Sequence, residues 1–295
     1  MKLKTLLNIP RLLKDSMRLL QKNDPLRLAG ATAFFTTFAL PAILVILIQV
    51  LGLVFKREQI SDNLLEKISS IVGKQTGQQV TETLSGFTQL ADNWFITIGG
   101  FLFLIFVATT LFVVIKGSLN QLWGVRLLSH PKLGFRLRIR IRSLLVILVA
   151  GLLFIIGLMV DSLQLFLGNS LREYLPQLMP VLLLVSNIFI SVVIVSGWFI
   201  ILFRFLPDGH PTWKVAIIGG LFTSIFFNLG KWIIRFLLSN GNLDSLYGAS
   251  ASVVLLLLFV FYSALIFYFG AAFTKVLSNY IGEPIRTSSH AEKSD

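Results

Sequence analysis

The sequence predicts an all-α polytopic membrane protein: about six transmembrane helices, an N-terminal amphipathic helix and one short helical external loop. Three observations predict it. The chain is 55% hydrophobic and only 14% charged, with a mean hydropathy of +0.81, whereas a soluble domain is about 45–50% apolar and about 25% charged. The apolar residues gather in runs of roughly 18 or more, the length that crosses a bilayer. Lys and Arg are dense in alternate connecting segments and sparse in the others, as positive-inside topology requires.

The spans fall at about 30–55, 94–115, 143–167, 180–203, 215–238 and 250–274. Each covers the ~30 Å of hydrocarbon at about 1.5 Å per residue, and each must be helical because lipid offers the backbone no hydrogen-bond partner. They form one domain, 30–277, between a segment at 1–29 and a polar tail at 278–295. No internal repeat or second domain is evident. A cleaved leader is not expected, since the first apolar run begins near Leu28 behind a polar start.

Orientation follows from charge. Residues 1–29 hold seven basic residues against Asp15 and Asp24, and the loop 116–142 holds Lys116, Arg126, Lys132, Arg136, Arg138, Arg140 and Arg142 with no acid. The segments 56–93, 168–179 and 239–249 carry as many acids as bases or more. Both termini are therefore expected in the cytoplasm, in a bacterial inner membrane. The net charge of +12 is explained by topology and contact with anionic lipid. No stacking platform of aromatics accompanies it, and no nucleic-acid partner is expected.

Residues 10–22 read as the amphipathic helix, with Leu13, Met17 and Leu20 on one face and Arg11, Asp15, Arg18 and Lys22 on another. It suits the anionic inner leaflet, or else is a solvated lead-in to the first span. Asp24-Pro25 reads as N-cap and first turn of the helix that follows. In the loop 56–93, Ile60, Leu64, Ile68 and Ile71, then Val80, Leu84, Phe87 and Ala91, recur at helical spacing around Gly73 and Gly77, so two short helices are expected there.

Enzyme constellations are absent from the sequence pattern. His130, His210 and His290 are scattered, there is no cysteine, and no metal-ligand, phosphate-loop or nucleophile-elbow spacing occurs. The chain is expected to carry no catalytic residue, metal or cofactor. Intramembrane charge is the better signal, because it is expensive to keep. Asp161 in span three, with Lys231 and Arg235 one turn apart in span five, are read as one polar cluster at similar depth. Either they are structural, by pairing and snorkelling, or they form a site for an anionic solute or lipid head group.

Thr32, Thr36 and Thr37 precede Pro41, which removes a helical hydrogen bond and kinks a helix. With Asn187 and Asn228 they mark either a pathway or interhelical hydrogen bonds. Gly248 and Ser252, in the run Tyr247–Ser252, and Gly270 in Gly270-Ala271-Ala272 are small residues that permit close helix contact. Gly219-Gly220 belongs to the same class.

Several segments carry a resemblance. They are Leu246-Tyr247-Gly248-Ala249-Ser250-Ala251-Ser252 and the Val-Leu run to Leu258, Gly270-Ala271-Ala272, Ala29–Phe35 running to Leu40-Pro41, Asn120–Gly124, and Phe205-Leu206-Pro207-Asp208. Over roughly residues 15–280 their order resembles the YihY/BrkB family of bacterial inner-membrane proteins. Phe259 and Phe261-Tyr262 stand where that family has tryptophan and tyrosine, and Phe273 stands where it has an acid. The resemblance implies a six-helix inner-membrane protein and no agreed catalytic residues. Members were once labelled ribonuclease BN, and some are connected with serum resistance or with envelope lipid or solute transport. The reading is a transporter or lipid-handling protein of the cell envelope. A structural envelope-assembly factor is the alternative, and a tRNA-processing ribonuclease comes last.

Overall fold

The computed structural model describes residues 9–51, 62, 66, 94–127, 133–171, 179–240, 251–288 and 291–293. They form α1 (Ile9–Gln21), α2 (Pro25–Leu51), α3 (Trp94–Trp123), β1 (Val125–Leu127), α4 (Leu133–Leu171), α5 (Met179–Phe205), β2 (Gly209–His210), α6 (Trp213–Asn240), α7 (Ala251–Tyr280), β3 (Arg286–Thr287) and β4 (Ala291–Lys293). Six helices, α2 to α7, are long and apolar enough to span a bilayer. The two short helices expected in the loop 56–93 lie outside the described residues.

The helices overrun the predicted spans at the end where the chain termini lie. α2 starts at Pro25 and not 30, α3 runs to Trp123 and not 115, and α7 reaches Tyr280 and not 274. Hydropathy marks where side chains turn polar, whereas a helix continues as long as its backbone ladder and its neighbours support it. Asp24 turns the chain between α1 and α2 with φ 53°, a left-handed conformation that a short polar side chain tolerates. Its carbonyl accepts the Leu28 amide at 3.1 Å, with Pro25 as the first helical residue. α2 then continues through Pro41.

α7 is the hub. It packs against α1, α2, α3 and α6, while α5 packs against both α4 and α6. The core contains the stacked rings of Phe199, Phe203 and Phe267, whose centroids lie 5.3–6.3 Å apart, together with Trp123 and Tyr268. Two of the charges expected to flank the core end up inside it, as described below.

α1 docks by a face rotated from the one expected: Leu20 is buried and Leu13 partly so, but Met17 is not. Leu12, Ser16 and Leu20 are buried, Leu12 against Phe273 and Leu277 of α7, while Met17 is exposed. Ser16 is fully buried on this face, and its hydroxyl donates to the Leu12 carbonyl at 2.6 Å. The expected polar tail is also tied down. β3 pairs antiparallel with β2 (His210 opposite Arg286), and β4 with β1 (Arg126 opposite Glu292).

Candidate functional site: polar groups inside the bundle

Three polar groupings lie between the helices, and a fourth closes the terminal end. The last is built on Asp208, in the turn after α5. One carboxylate oxygen meets Lys116 Nζ at 2.8 Å, and the other accepts from Asn120 Nδ2 at 2.8 Å. The Asp208 amide donates to Asn120 Oδ1 at 2.9 Å. Its carbonyl accepts from both the amide and the hydroxyl of Ser288 at 2.9 Å. The Lys116 and Asp208 side chains are only 7% and 6% exposed. Lys116 and Asn120, one turn apart on α3, thus clasp a single residue that also holds the C-terminal segment. A buried ion pair is tolerable only when its remaining donors and acceptors are filled, and here Asn120 fills the second carboxylate oxygen of Asp208.

The surrounding turn is equally close. A methyl group on Gly209 would come within 2.9 Å of Ile285 and 3.1 Å of Trp123 and Val125. His210 Nδ1 lies 3.1 Å from the Arg204 carbonyl. Burial pushes the pKa of its imidazole below the usual 6.5; the charges of Arg142 and Arg204 push the same way, against the Arg204 carbonyl contact and Asp208. Thr212 donates to Glu283 at 2.5 Å, and Lys214 reaches the same carboxylate at 3.7 Å.

Deeper in, the Thr32 and Tyr268 hydroxyls meet at 2.6 Å between α2 and α7, and Trp123 Nε1 donates to the Ala271 carbonyl at 3.0 Å. Both hydroxyls are buried. Thr36 and Thr37 bond back to Thr32 and Ala33 of their own helix at 2.7 and 3.0 Å. Between α5 and α6, Ser191 donates to Asn228 at 2.7 Å, Asn228 donates to the Ser224 carbonyl at 3.0 Å, and Lys231 Nζ lies 3.4 Å from Ser191 Oγ. Asn187 is exposed on α5.

The remaining grouping is a cation. Arg140 of α4 donates to Thr109 Oγ1 at 2.7 Å and to the Phe106 carbonyl at 3.2 Å on α3. Its guanidinium sits 4.2 Å from the centre of the Phe106 ring. Thr109 precedes the end of α3 at Trp123 by about 21 Å of helix at 1.5 Å per residue. Among the described residues no carboxylate lies within ion-pair distance of this guanidinium, and Phe106 is 54% exposed beside it.

The described ones among the sequence-predicted site residues fall in separate groupings: Thr32 between α2 and α7, and Asn228 with Lys231 between α5 and α6. Lys231 contacts α5; the side chains of Asp161 and Arg235 lie outside the described residues, so the proposed cluster of the three does too. Gly270 lies where α7 meets α6, and a methyl there would come within 1.9 Å of Thr223 Oγ1. Gly248 and the Ser252 side chain are outside the described residues. Sequence reasoning missed the Asp208 clasp because Lys116 was placed just beyond span two. The available signal was the one-turn spacing of Lys116 and Asn120. Arg140 was read only as a topology charge.

A family model described as "Virulence factor BrkB" matches residues 17–295. A "UPF0761 membrane protein" of Saccharophagus degradans is 26% identical over 253 residues, covering 85% of this chain and 55% of the relative. One of Teredinibacter turnerae is 28% identical over 258 residues (86% and 57%), and one of Chromobacterium violaceum is 27% identical over 266 residues (88% and 60%). The chain thus spans somewhat over half the length of these relatives. No solved structure matches.

Proposed function

The chain belongs to the BrkB family of membrane proteins, and from that premise we propose that it handles an anionic amphiphile or solute in the bacterial inner membrane, as a lipid-handling protein or transporter. The observation that carries this reading is Arg140. A guanidinium held among spanning helices, here near the start of the α4 span at Ile139, is expensive to keep without a partner. Thr109 and Phe106 give it neutral acceptors that leave its charge in place. It lies on a half-open flank between α3 and α4, where a negative group arriving from the membrane would complete it. The reading contains no catalytic step, metal or nucleic acid, and it places both termini in the cytoplasm on the Lys and Arg asymmetry.

The test is lipid-dependent stability of the purified full chain. Thermal unfolding in detergent should rise on adding phosphatidylglycerol more than on adding phosphatidylcholine. Arg140→Gln should lose that difference and Arg140→Lys should keep part of it. An identical response in wild type and Arg140→Gln removes Arg140 as the anion site. A reporter fused after residue 75 should read as external and one after residue 130 as cytoplasmic; the reverse pattern inverts the topology.

A second reading, a structural envelope factor, is favoured by one observation. Among the described residues no buried side-chain nitrogen or oxygen lacks a hydrogen-bond partner, as in a bundle whose polar groups serve packing.

A further inference from the structure

At the terminal end of the bundle, α1 and the last turns of α7 enclose a cleft of about 330 Å³ lined by Arg11, Leu12, Asp15, Val276, Asn279 and Tyr280. Its level is set by the chain on either side. α2 enters its apolar span at Pro25, a three-residue turn after α1, and the last apolar span closes at Tyr280. The cleft therefore stands where hydrocarbon gives way to headgroups.

Its lining carries two opposite charges. Arg11 and Asp15 are one turn apart on α1 and so project to the same side. Asp15 has a 3.9 Å contact with Arg18, in which both side chains are largely exposed; such a pair is weak and leaves the carboxylate open to a further donor. Leu12, itself buried, and Val276 make an apolar wall, and Asn279 and Tyr280 add polar ends. A purely anionic headgroup would meet the Asp15 carboxylate, and a purely cationic one would meet Arg11. A head with phosphate next to a primary ammonium satisfies both. The phosphate takes the planar guanidinium, the ammonium donates to the carboxylate, and the first acyl carbons lie on Leu12 and Val276.

We infer that this cleft is a binding site for a zwitterionic phospholipid of the phosphoethanolamine type. The site does not depend on Arg140. The experiment reconstitutes the delipidated full chain into nanodiscs of equal parts phosphatidylethanolamine, phosphatidylcholine and phosphatidylglycerol and measures co-purifying lipid by mass spectrometry after mild detergent exchange. Wild type should retain phosphatidylethanolamine several-fold over phosphatidylcholine, since methylation removes the ammonium donors. Asp15→Asn should abolish the preference over phosphatidylcholine, because the ammonium then loses its charged acceptor. Arg11→Gln should lower phosphatidylethanolamine retention. Arg11 is exposed and Asp15 half-buried, so unfolding temperature should hold in both. Equal retention of phosphatidylethanolamine and phosphatidylcholine, or a preference indifferent to Arg11→Gln and Asp15→Asn, overturns the assignment.

Discussion

The seam between α6 and α7 and the seam between α4 and α5 use glycine in opposite ways. At the first, a methyl on Gly219 would come within 2.1 Å of Thr274 Oγ1 and one on Gly270 within 1.9 Å of Thr223 Oγ1. The two helices exchange glycine for threonine reciprocally, and each threonine hydroxyl bonds back to the carbonyl of the glycine four residues before it, Gly219 for Thr223 and Gly270 for Thr274. At the second, the nearest atom to a methyl on Gly157 is Ile194 Cδ1 at 3.5 Å, and on Gly197 it is Leu153 Cδ2 at 3.9 Å, which is ordinary contact. Leu145, Leu148, Leu152, Val185, Ile188 and Phe189 around the second seam are exposed to lipid. In the membrane there is no hydrophobic drive between helices, so close backbone approach must be built from small residues. Of the two seams compared, the α6–α7 seam is built that way; Gly220 makes a similar close approach, where a methyl would come within 2.5 Å of Ile200 on α5.

The contrast can be broken most directly at the clasp. Lys116→Met leaves the Asp208 carboxylate buried with Asn120 as its one remaining side-chain donor in the clasp, and should cost about 3–5 kcal/mol of stability. Unfolding in detergent by denaturant or heat checks it, and a loss below about 1 kcal/mol would mean that water reaches the pair. Within the seams, Gly270→Ala should cost about 1–3 kcal/mol through overpacking. Thr223→Ala in the same chain should restore part of it, because the clashing hydroxyl and its carbon are removed. Gly197→Ala should be neutral or stabilising by up to about 1 kcal/mol, from reduced backbone freedom in the unfolded chain. Equal effects at Gly270 and Gly197 would abolish the distinction between the seams.

The smallest expected effect is a pH dependence at the tight end. His210 has its pKa lowered in the folded protein from the usual 6.5, so between the two values the unfolded chain binds more protons. Stability therefore rises with pH through that window, and its His210 share is lost as pH falls below about 6.5. His210→Gln should flatten the slope of unfolding temperature between about pH 5 and 7, and an unchanged slope would assign it to other groups.

Hydropathy and the Lys and Arg pattern alone determined the all-α membrane class, the count of six long apolar helices and the presence of a helix before the first span. These depend on the bilayer as solvent, which acts on each segment separately and so can be read from each segment separately. Gly270 was legible as a contact residue for the same local reason. The partners were not. Lys116 and Asp208 stand far apart in the chain, as do Thr32 and Tyr268, or Arg140 and Thr109, and nothing in either member's local sequence names the other. α1 shows the limit most plainly: its spacing marked an apolar face of Leu13, Met17 and Leu20, of which Leu20 is buried and Met17 exposed, while α7 takes the adjacent line through Leu12 and Ser16. Tertiary structure decided which charges are paired, which hydroxyls serve their own helix and which helix holds the tail, since these follow from which surfaces come within hydrogen-bond reach of one another.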